Sequence, residues 1–202
     1  MRLRDRLREA TGEAILSAAE EVFAAEGLAG ARMEAIAARA GVAVGTLYNH
    51  FEDRKALWER LLASRRAALL RRLDVALEDT REAPFADALD ALLRALFAHW
   101  AEHRGFVALL MQVQPPLVRT PRGGAGPKPI AREILRRLAR VVRRGVAQGV
   151  LRAEGADLYP AALLGMARSL LLLEIGGGPE RPAGDPVGRL VDLFLRGAGR
   201  RP

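Results

Sequence analysis

Arg32–Phe51 reads RMEAIAARAGVAVGTLYNHF, and the fold turns on this stretch. Its apolar residues recur at helical spacing on both sides of Gly41, so it reads as two short helices, 33–40 and 44–50, joined by a tight turn. Gly41 stands where the chain must take a positive φ, which glycine adopts without a Cβ penalty. Ile36, Ala37, Ala40, Val42, Leu47 and Phe51 are spaced to pack the two helices on each other and on a preceding helix. Val44, Gly45, Thr46, Tyr48, Asn49 and His50 remain outward on the second helix. They form a compact face of small and hydrogen-bonding groups at the N-terminal end of a helix, as insertion into a DNA major groove requires.

Working outward, Ile15, Leu16, Ala19, Val22 and Phe23 form one apolar stripe of a first helix, with Thr11 as the expected N-cap and Gly27 as the expected C-cap. Asp53 is placed to cap a long fourth helix running to about Thr80, with Leu57, Leu61, Leu62, Leu69, Leu73 and Leu77 on its buried side. A fifth helix follows Pro84 to about His103, and a sixth runs past Gly105 to about Gln114. Residues 115–129, PPLVRTPRGGAGPKP, read as a Pro/Gly-rich loop. A seventh helix over about 130–148 places Arg132, Arg136, Arg137, Arg140, Arg143 and Arg144 on one face and Ile134, Leu135, Leu138, Val141 and Val142 on the other. An eighth is expected over about 157–175 and a ninth over about 187–197. With only four Thr and no run of alternating β-branched residues, the chain reads as all-α, with about nine helices.

Composition narrows the class. A chain of 202 residues with 50% hydrophobic and 28% charged residues can bury a core without covalent staples. The absence of cysteine excludes disulfides, Cys-ligated zinc, iron–sulfur clusters and thiol catalysis, and fits a reducing cytoplasm. No targeting segment is expected at the N-terminus, and the apolar run 159–175 is broken by Arg168 and Glu174, too short and too charged to span a bilayer. The net charge of +8 does not itself point to DNA: residues 1–55 hold eight Arg and Lys against nine Asp and Glu, so the excess lies downstream. Arg2, Arg4, Arg6 and Arg8 precede the expected first helix. They read either as an arm for the minor groove or phosphates, or as a solvated, frayed helical extension, since Asp5 and Glu9 interleave.

Residues 11–60 resemble TetR-type transcriptional regulators. The resemblance rests on FAxxG at Phe23–Gly27, IAxxAGV at Ile36–Val42, GTLYxHF at Gly45–Phe51, Asp53–Arg54 and Ala56–Leu57. It implies a TetR-like division, with residues 1–55 a helix-turn-helix DNA-binding domain (helix-turn-helix 32–51) and residues 56–202 a helical effector-binding and dimerisation domain. Val44, Thr46 and Tyr48 would sit at base edges or the adjacent backbone, Gly45 would allow close approach, and Asn49 completes the outward face. Tyr48 and His50 would reach phosphate, and Arg54 would take the phosphate contact usually given to a lysine. Three positions depart from the pattern. Ala43 replaces a capping serine, Ala31 and Arg32 replace a Thr/Ser helix start (Arg32 still within reach of phosphate), and Glu34 either reads a cytosine amino group or faces water.

The resemblance also implies a partner and a ligand. Leu158, Ala161, Ala162, Leu163, Leu164, Met166 and Leu170–Leu173 make the eighth helix apolar nearly all round, and the ninth has two apolar faces. The last two long helices would therefore pair with a second copy in a homodimer that binds a palindromic double-stranded DNA operator. An effector pocket would lie among helices four to eight. Its expected walls are Trp58, Leu62, Leu93, Leu96, Trp100, Met111 and Met166, with Leu89, Phe106 and Leu110 further candidates. Arg168 would meet an anionic group, and His99, His103 and Gln112 are the other polar candidates. Each apolar residue reads first as ordinary core and second as a pocket wall. A small hydrophobic effector would release the DNA by favouring a more open arrangement of helices four and six. No cofactor and no membrane partner are expected, and the chain is read as a repressor and not an enzyme.

Rival readings remain. Seven basic residues from Arg54 to Arg72, against Glu59 alone, would suit the phosphates of an acyl-CoA, making the chain a fatty-acid-responsive regulator of lipid metabolism. A DNA binder without a ligand is another. His99, Glu102 and His103 spell H-x-x-E-H, an inverted zinc-hydrolase motif, with no clear third ligand helix following.

Overall fold

The computed structural model describes residues 3–113, 130–176 and 184–198. Among these, nine α-helices and no β-strand are present: α1 Leu3–Gly30, α2 Met33–Ala40, α3 Val44–His50, α4 Arg54–Asp79, α5 Phe85–Glu102, α6 Arg104–Val113, α7 Ile130–Ala147, α8 Tyr159–Gly176 and α9 Pro186–Ala198. The expected loop 115–129 lies outside the described residues. The chain divides into two compact units. Of the described residues, 3–67 and 103–113 belong to the first, and 68–102, 130–176 and 184–198 to the second. The division falls within α4 and α6 belongs to the first unit.

The first unit is built on the α1 stripe. Ile15, Ala19 and Phe23 are wholly buried, and Ile36, Ala37, Leu47, Leu57 and Leu61 close around them with Phe106 and Leu109 of α6. Trp58 stands edge-on to Phe23 at 5.3 Å and to Phe106 at 5.5 Å between ring centroids, an arrangement that favours aromatic pairs beyond their area. The start of α1 differs from expectation. Thr11 is not an N-cap: the helix begins at Leu3, and Thr11 Oγ1 donates back to Leu7 O at 2.9 Å, inside the helix. Arg4, Arg6 and Arg8 therefore lie in helical turns of α1 and not before it. The first non-helical backbone in α1 is Gly27, at φ 72° and ψ 169°.

The second unit packs α5, α7, α8 and α9. Phe85, Leu89, Leu92, Leu93 and Leu96 line the buried side of α5, against Ile134, Leu138, Val141 and Val142 of α7. Gly145 is what lets these two helices close. A Cβ there would lie 2.6 Å from the ring of Phe85, itself 1% exposed. Gln148 Oε1 accepts from the Phe85 backbone N–H at 2.9 Å, at the start of α5. The expected arginine face of α7 splits in two. Arg137 is paired with Asp74 at 2.7 Å, and Arg144 Nη1 donates to the Thr80 and Arg81 carbonyls that end α4, at 2.7 and 2.8 Å. Arg132, Arg136, Arg140 and Arg143 are exposed. The reason is azimuth: Arg137 and Arg144, seven residues apart, share a strip nearer the core than the others.

On α8 the structure separates the two faces. Leu163, Leu164, Ala167 and Leu171 are buried, while Ala161, Ala162, Gly165, Leu172 and Leu173 are exposed in the single chain. With 18 residues and a mean hydropathy of 1.2, α8 is long and apolar enough to cross a membrane despite Arg168 and Glu174, which revises the expectation that it is too short and too charged. It packs on α7 and α9, and 28% of it is buried. The α9 face of Val187, Leu190, Val191 and Phe194 is buried, and Leu193 is exposed.

Asp185 begins α9 as a capping residue. Its Oδ1 accepts from Gly188 N–H at 3.1 Å, with Pro186 at the first helical position. Arg94 of α5 holds the same carboxylate at 2.5 Å. That guanidinium, then the Gly188 N–H, keep Asp185 below the usual carboxylate range, and the two carboxylates Asp185 and Asp90 raise Arg94 above its ordinary value.

Two expected outcomes follow from this packing. Gly145→Ala gains helix propensity of up to about 1 kcal/mol but drives a methyl into a buried ring, costing about 1–3 kcal/mol. We expect a net fall in melting temperature by thermal denaturation, and a rise would show that Phe85 yields freely. For Asp185→Asn the cap survives and the charge is lost. A carboxylate held low in the folded state stabilises above its unfolded pKa and loses that contribution as pH falls through the folded value. The wild-type chain should therefore melt above the variant at neutral pH, with the gap closing in acid below the usual carboxylate range. A gap that is constant with pH would mean the charge is not its source.

Candidate nucleic-acid interface

The face proposed for DNA depends on a turn and two buried residues. At Gly41, φ 68° and ψ 29°, the backbone turns left-handed. The Gly41 N–H donates to Ala38 O at 3.2 Å and the Val42 N–H to Ala37 O at 3.0 Å, the paired bonds of a Schellman motif that closes α2. α3 then begins at Val44 with Ala43 as N-cap and no side-chain cap, and α2 begins after Arg32 equally uncapped, as the missing hydroxyls predict. Asp53 does cap α4: its Oδ1 accepts from the Ala56 N–H at 2.7 Å.

Leu47 is wholly buried and Phe51 is 9% exposed, which orients the rest of α3 outward. Val44, Gly45, Tyr48 and Asn49 are exposed, and Thr46 and His50 are half-buried. All six expected residues thus belong to one short helix of the first unit. Nothing lies within 4 Å of a Cβ built on Gly45, so its neighbourhood is open to a close approach. His50 backs onto α1, its Nδ1 lying 3.7 Å from the position of a Cβ on Gly12. Arg32 is exposed at the start of α2, and Glu34 is exposed on it.

Arg54 has a role that its spacing did not reveal. Its Nη1 donates to Ala29 O at 2.9 Å and to Ala31 O at 3.0 Å, tying the first turn of α4 to the junction of α1 and α2. That nitrogen is committed within the protein. A further network was missed altogether. Glu20 on α1 accepts from Arg65 Nε of α4 at 2.5 Å and lies 2.7 Å from His103 Nδ1 at the start of α6. The three side chains are only 12–18% exposed, and Arg65 also approaches Glu13 at 3.6 Å. Its one signal in the sequence is a carboxylate set beside the apolar stripe of α1.

The expected effector-contact residues fall in both units. Trp58 and Leu62 belong to the first, packed on its core, as does the half-buried Met111. Leu93, Leu96 and Trp100 follow one buried face of α5 in the second unit, and Met166 and Arg168 are half-buried on α8. His99 is buried on α5, and the side chain of Gln112 lies outside the described residues. Among the described residues, a surface groove of about 320 Å³ lies in the second unit beside Arg94, Phe97 and Asp185, and one of about 420 Å³ in the first beside Glu21, Val22 and Arg39. Neither includes the expected effector residues. Within H-x-x-E-H, Glu102 pairs with Arg72 at 2.8 Å and His103 with Glu20, so the two side chains serve different partners. Of the seven basic residues from Arg54 to Arg72, Arg65 and Arg72 are held by carboxylates.

Fold and site define a class: a helix-turn-helix protein with an all-helical body. Residues 15–61 match the family of bacterial regulatory proteins, tetR family. The HTH-type transcriptional regulator SrpR of Pseudomonas putida is 37% identical over 86 residues, which cover 42% of this chain and 40% of that one. The match therefore spans less than half of that relative's length. PfmR, a TetR family transcriptional regulator of Thermus thermophilus, has the same fold at a TM-score of 0.67 and 24% identity, over 92% of this chain and 99% of that one. SmeT, solved in complex with triclosan, aligns at a TM-score of 0.69 and 22% identity, over 95% of this chain and 92% of that one. The tetR-family match thus lies on residues 15–61, the part of the chain that holds the helix-turn-helix.

Arg54→Ala should lower the melting temperature of the DNA-free protein. The two bonds join a charged donor to carbonyls, but the site is partly open to solvent, so the loss expected is about 1 kcal/mol. That corresponds to a fall of roughly 2–4 °C. Thermal denaturation without DNA isolates this contribution, and an unchanged midpoint would leave Arg54 no structural role.

Proposed function

We propose that the chain is a sequence-specific DNA-binding transcriptional repressor of the cytoplasm, binding a palindromic operator as a homodimer and released by a small hydrophobic effector. The observation that carries this reading is α3: Leu47 and Phe51 are packed into the first unit while Val44, Gly45, Tyr48 and Asn49 stand exposed on one short helix. Val44, Gly45, Thr46, Tyr48 and Asn49 would meet base edges or the adjacent backbone, with Arg32, His50 and Arg54 on phosphates. The exposed apolar residues of α8 and α9, Leu172 at 48% and Leu193 at 65% exposure, with Leu158 just before α8 at 66%, support pairing with a second copy. Apolar side chains of α5, among them Leu93, Leu96 and Trp100, and Met166 and Arg168 of α8 favour a hydrophobic effector with an anionic group. SmeT binds triclosan, a small molecule, and offers a precedent for the ligand class.

Operator selection from random duplex DNA, followed by titration against salt, tests the reading. We expect an enriched palindrome with half-sites about one or two helical turns apart, bound with a steep negative salt slope. Tyr48→Ala should reduce the palindrome's advantage over random duplex by about five-fold or more, since each base-edge pairing is worth about 1–3 kcal/mol of discrimination. Uniformly weak binding with nothing enriched would sink specific operator recognition.

A further inference from the structure

We infer that the outer face of α7 is a second, sequence-independent surface for the phosphate backbone of duplex DNA, with Arg132, Arg140 and Arg143 as its contact residues. It lies in the second unit, whereas α3 lies in the first, and it does not depend on operator recognition. At 100° per residue Arg132, Arg136, Arg140 and Arg143 fall within an arc of about 80°, roughly opposite the buried Ile134, Leu138 and Val141. No acid stands within the arc. Four like charges three or four residues apart therefore repel one another along about 16 Å of helix, which a bound polyanion relieves. Glu133, the one acid of α7, sits at the edge of the arc and is shared by Arg136 at 3.0 Å and Arg137 at 3.6 Å. Arg132, Arg140 and Arg143 are exposed, with no hydrogen bond or ion pair among the described residues. The basic excess of the chain lies in the same part: residues 56–202 hold 24 Arg and Lys against 15 Asp and Glu.

What the strip lacks selects its partner. A helix that lies on a membrane needs its apolar face free to enter the lipid, and that of α7 is buried in the core through Ile134, Leu138, Val141 and Val142. A protein partner needs an apolar or aromatic anchor at the centre of the interface, and α7 carries no aromatic residue and no exposed large apolar one. Phosphate contact needs cations alone and reads no base, and the planar guanidinium fork matches phosphate oxygens. Arg137 and Arg144 stand apart from the surface, because Asp74 and the carbonyls of Thr80 and Arg81 hold them.

The experiment titrates the full chain against a labelled mixed-sequence duplex while salt is varied. Tyr48→Glu/Asn49→Glu places two carboxylates on the exposed side of α3 and removes its contribution; if circular dichroism shows lost helix, Arg32→Glu takes its place. In that background the duplex should still bind at low salt. Each phosphate contact adds about 0.9 to the slope of log affinity on log salt, so three contacts give about 2.7 per protomer, a loss of about 40-fold between about 50 and about 200 mM. Adding Arg132→Gln/Arg140→Gln/Arg143→Gln should abolish this binding. Glutamine is a good helix former, so α7 stays helical, which circular dichroism verifies. Arg71→Gln/Arg81→Gln/Arg189→Gln, which takes the same charge from exposed positions elsewhere in the second unit, should leave the slope in place. Loss of all duplex binding in the α3 variant overturns the inference. An equal effect from the Arg71, Arg81 and Arg189 changes overturns it in favour of the general positive field. Tighter binding to anionic phospholipid vesicles than to duplex, lost with the α7 arginines, overturns it in favour of a lipid surface. Failure of the operator selection with α7-dependent binding intact sinks the α3 reading and supports this one.

Discussion

A helix of seven residues does not hold itself in water, because nucleation costs more than two turns of hydrogen bonds return. α3 has no side-chain cap to help it. What holds it is the burial of Leu47 and Phe51 in the core of the first unit, worth about 1.5–3 kcal/mol each, against a missing cap worth about 1 kcal/mol. The packing term wins. The outward face is therefore positioned by its inward one, and any account of recognition by Val44, Tyr48 or Asn49 depends on two residues that touch no ligand. The same balance explains how Ala43 and Arg32 are tolerated where a hydroxyl is absent.

The first unit then converts this local solution into a rigid body by long-range contacts of two kinds. Aromatic edges of Trp58 bridge Phe23 of α1 and Phe106 of α6. Beside them, Glu20 takes Arg65 and His103 on its two oxygens, so α1, α4 and α6 meet at one shielded carboxylate. Such a cluster contributes little to net stability relative to an apolar substitute, but it is unforgiving of losing one partner and so specifies a single arrangement. The second unit uses a different device. A glycine opposite Phe85 brings α5 and α7 together, and the Asp185 cap is shared with Arg94 so that the start of α9 is pinned to α5.

Much of the candidate interface was legible residue by residue. The extents of α2 and α3, the turn at Gly41, the cap at Asp53 and the inward set around Leu47 follow from turn chemistry and 3.6-residue periodicity, both properties of a few neighbouring positions. The misreadings share a cause. Thr11 has the chemistry of a cap, but helix is favoured over residues 3–10 as well, so the hydroxyl turned inward to Leu7 O. Arg137 and Arg144 share the expected arginine face with four others because helical periodicity resolves faces only coarsely, and long side chains reach across that margin. Arg54 reads as a surface cation until the carbonyls of Ala29 and Ala31 are brought beside it.

The all-helical class, the helix-turn-helix and the choice of which α3 side chains face inward are local properties, since each depends on residues within a turn or two of one another. Long-range packing is what joins α6 to α1 and α4 in the first unit, brings Glu20, Arg65 and His103 to one site, and sets Gly12 of α1 beside His50. Those pairings join positions 38–83 residues apart in the chain, and no local propensity specifies which distant partner a side chain will meet. It is the packing of a whole unit, at crystal-like density, that makes the selection.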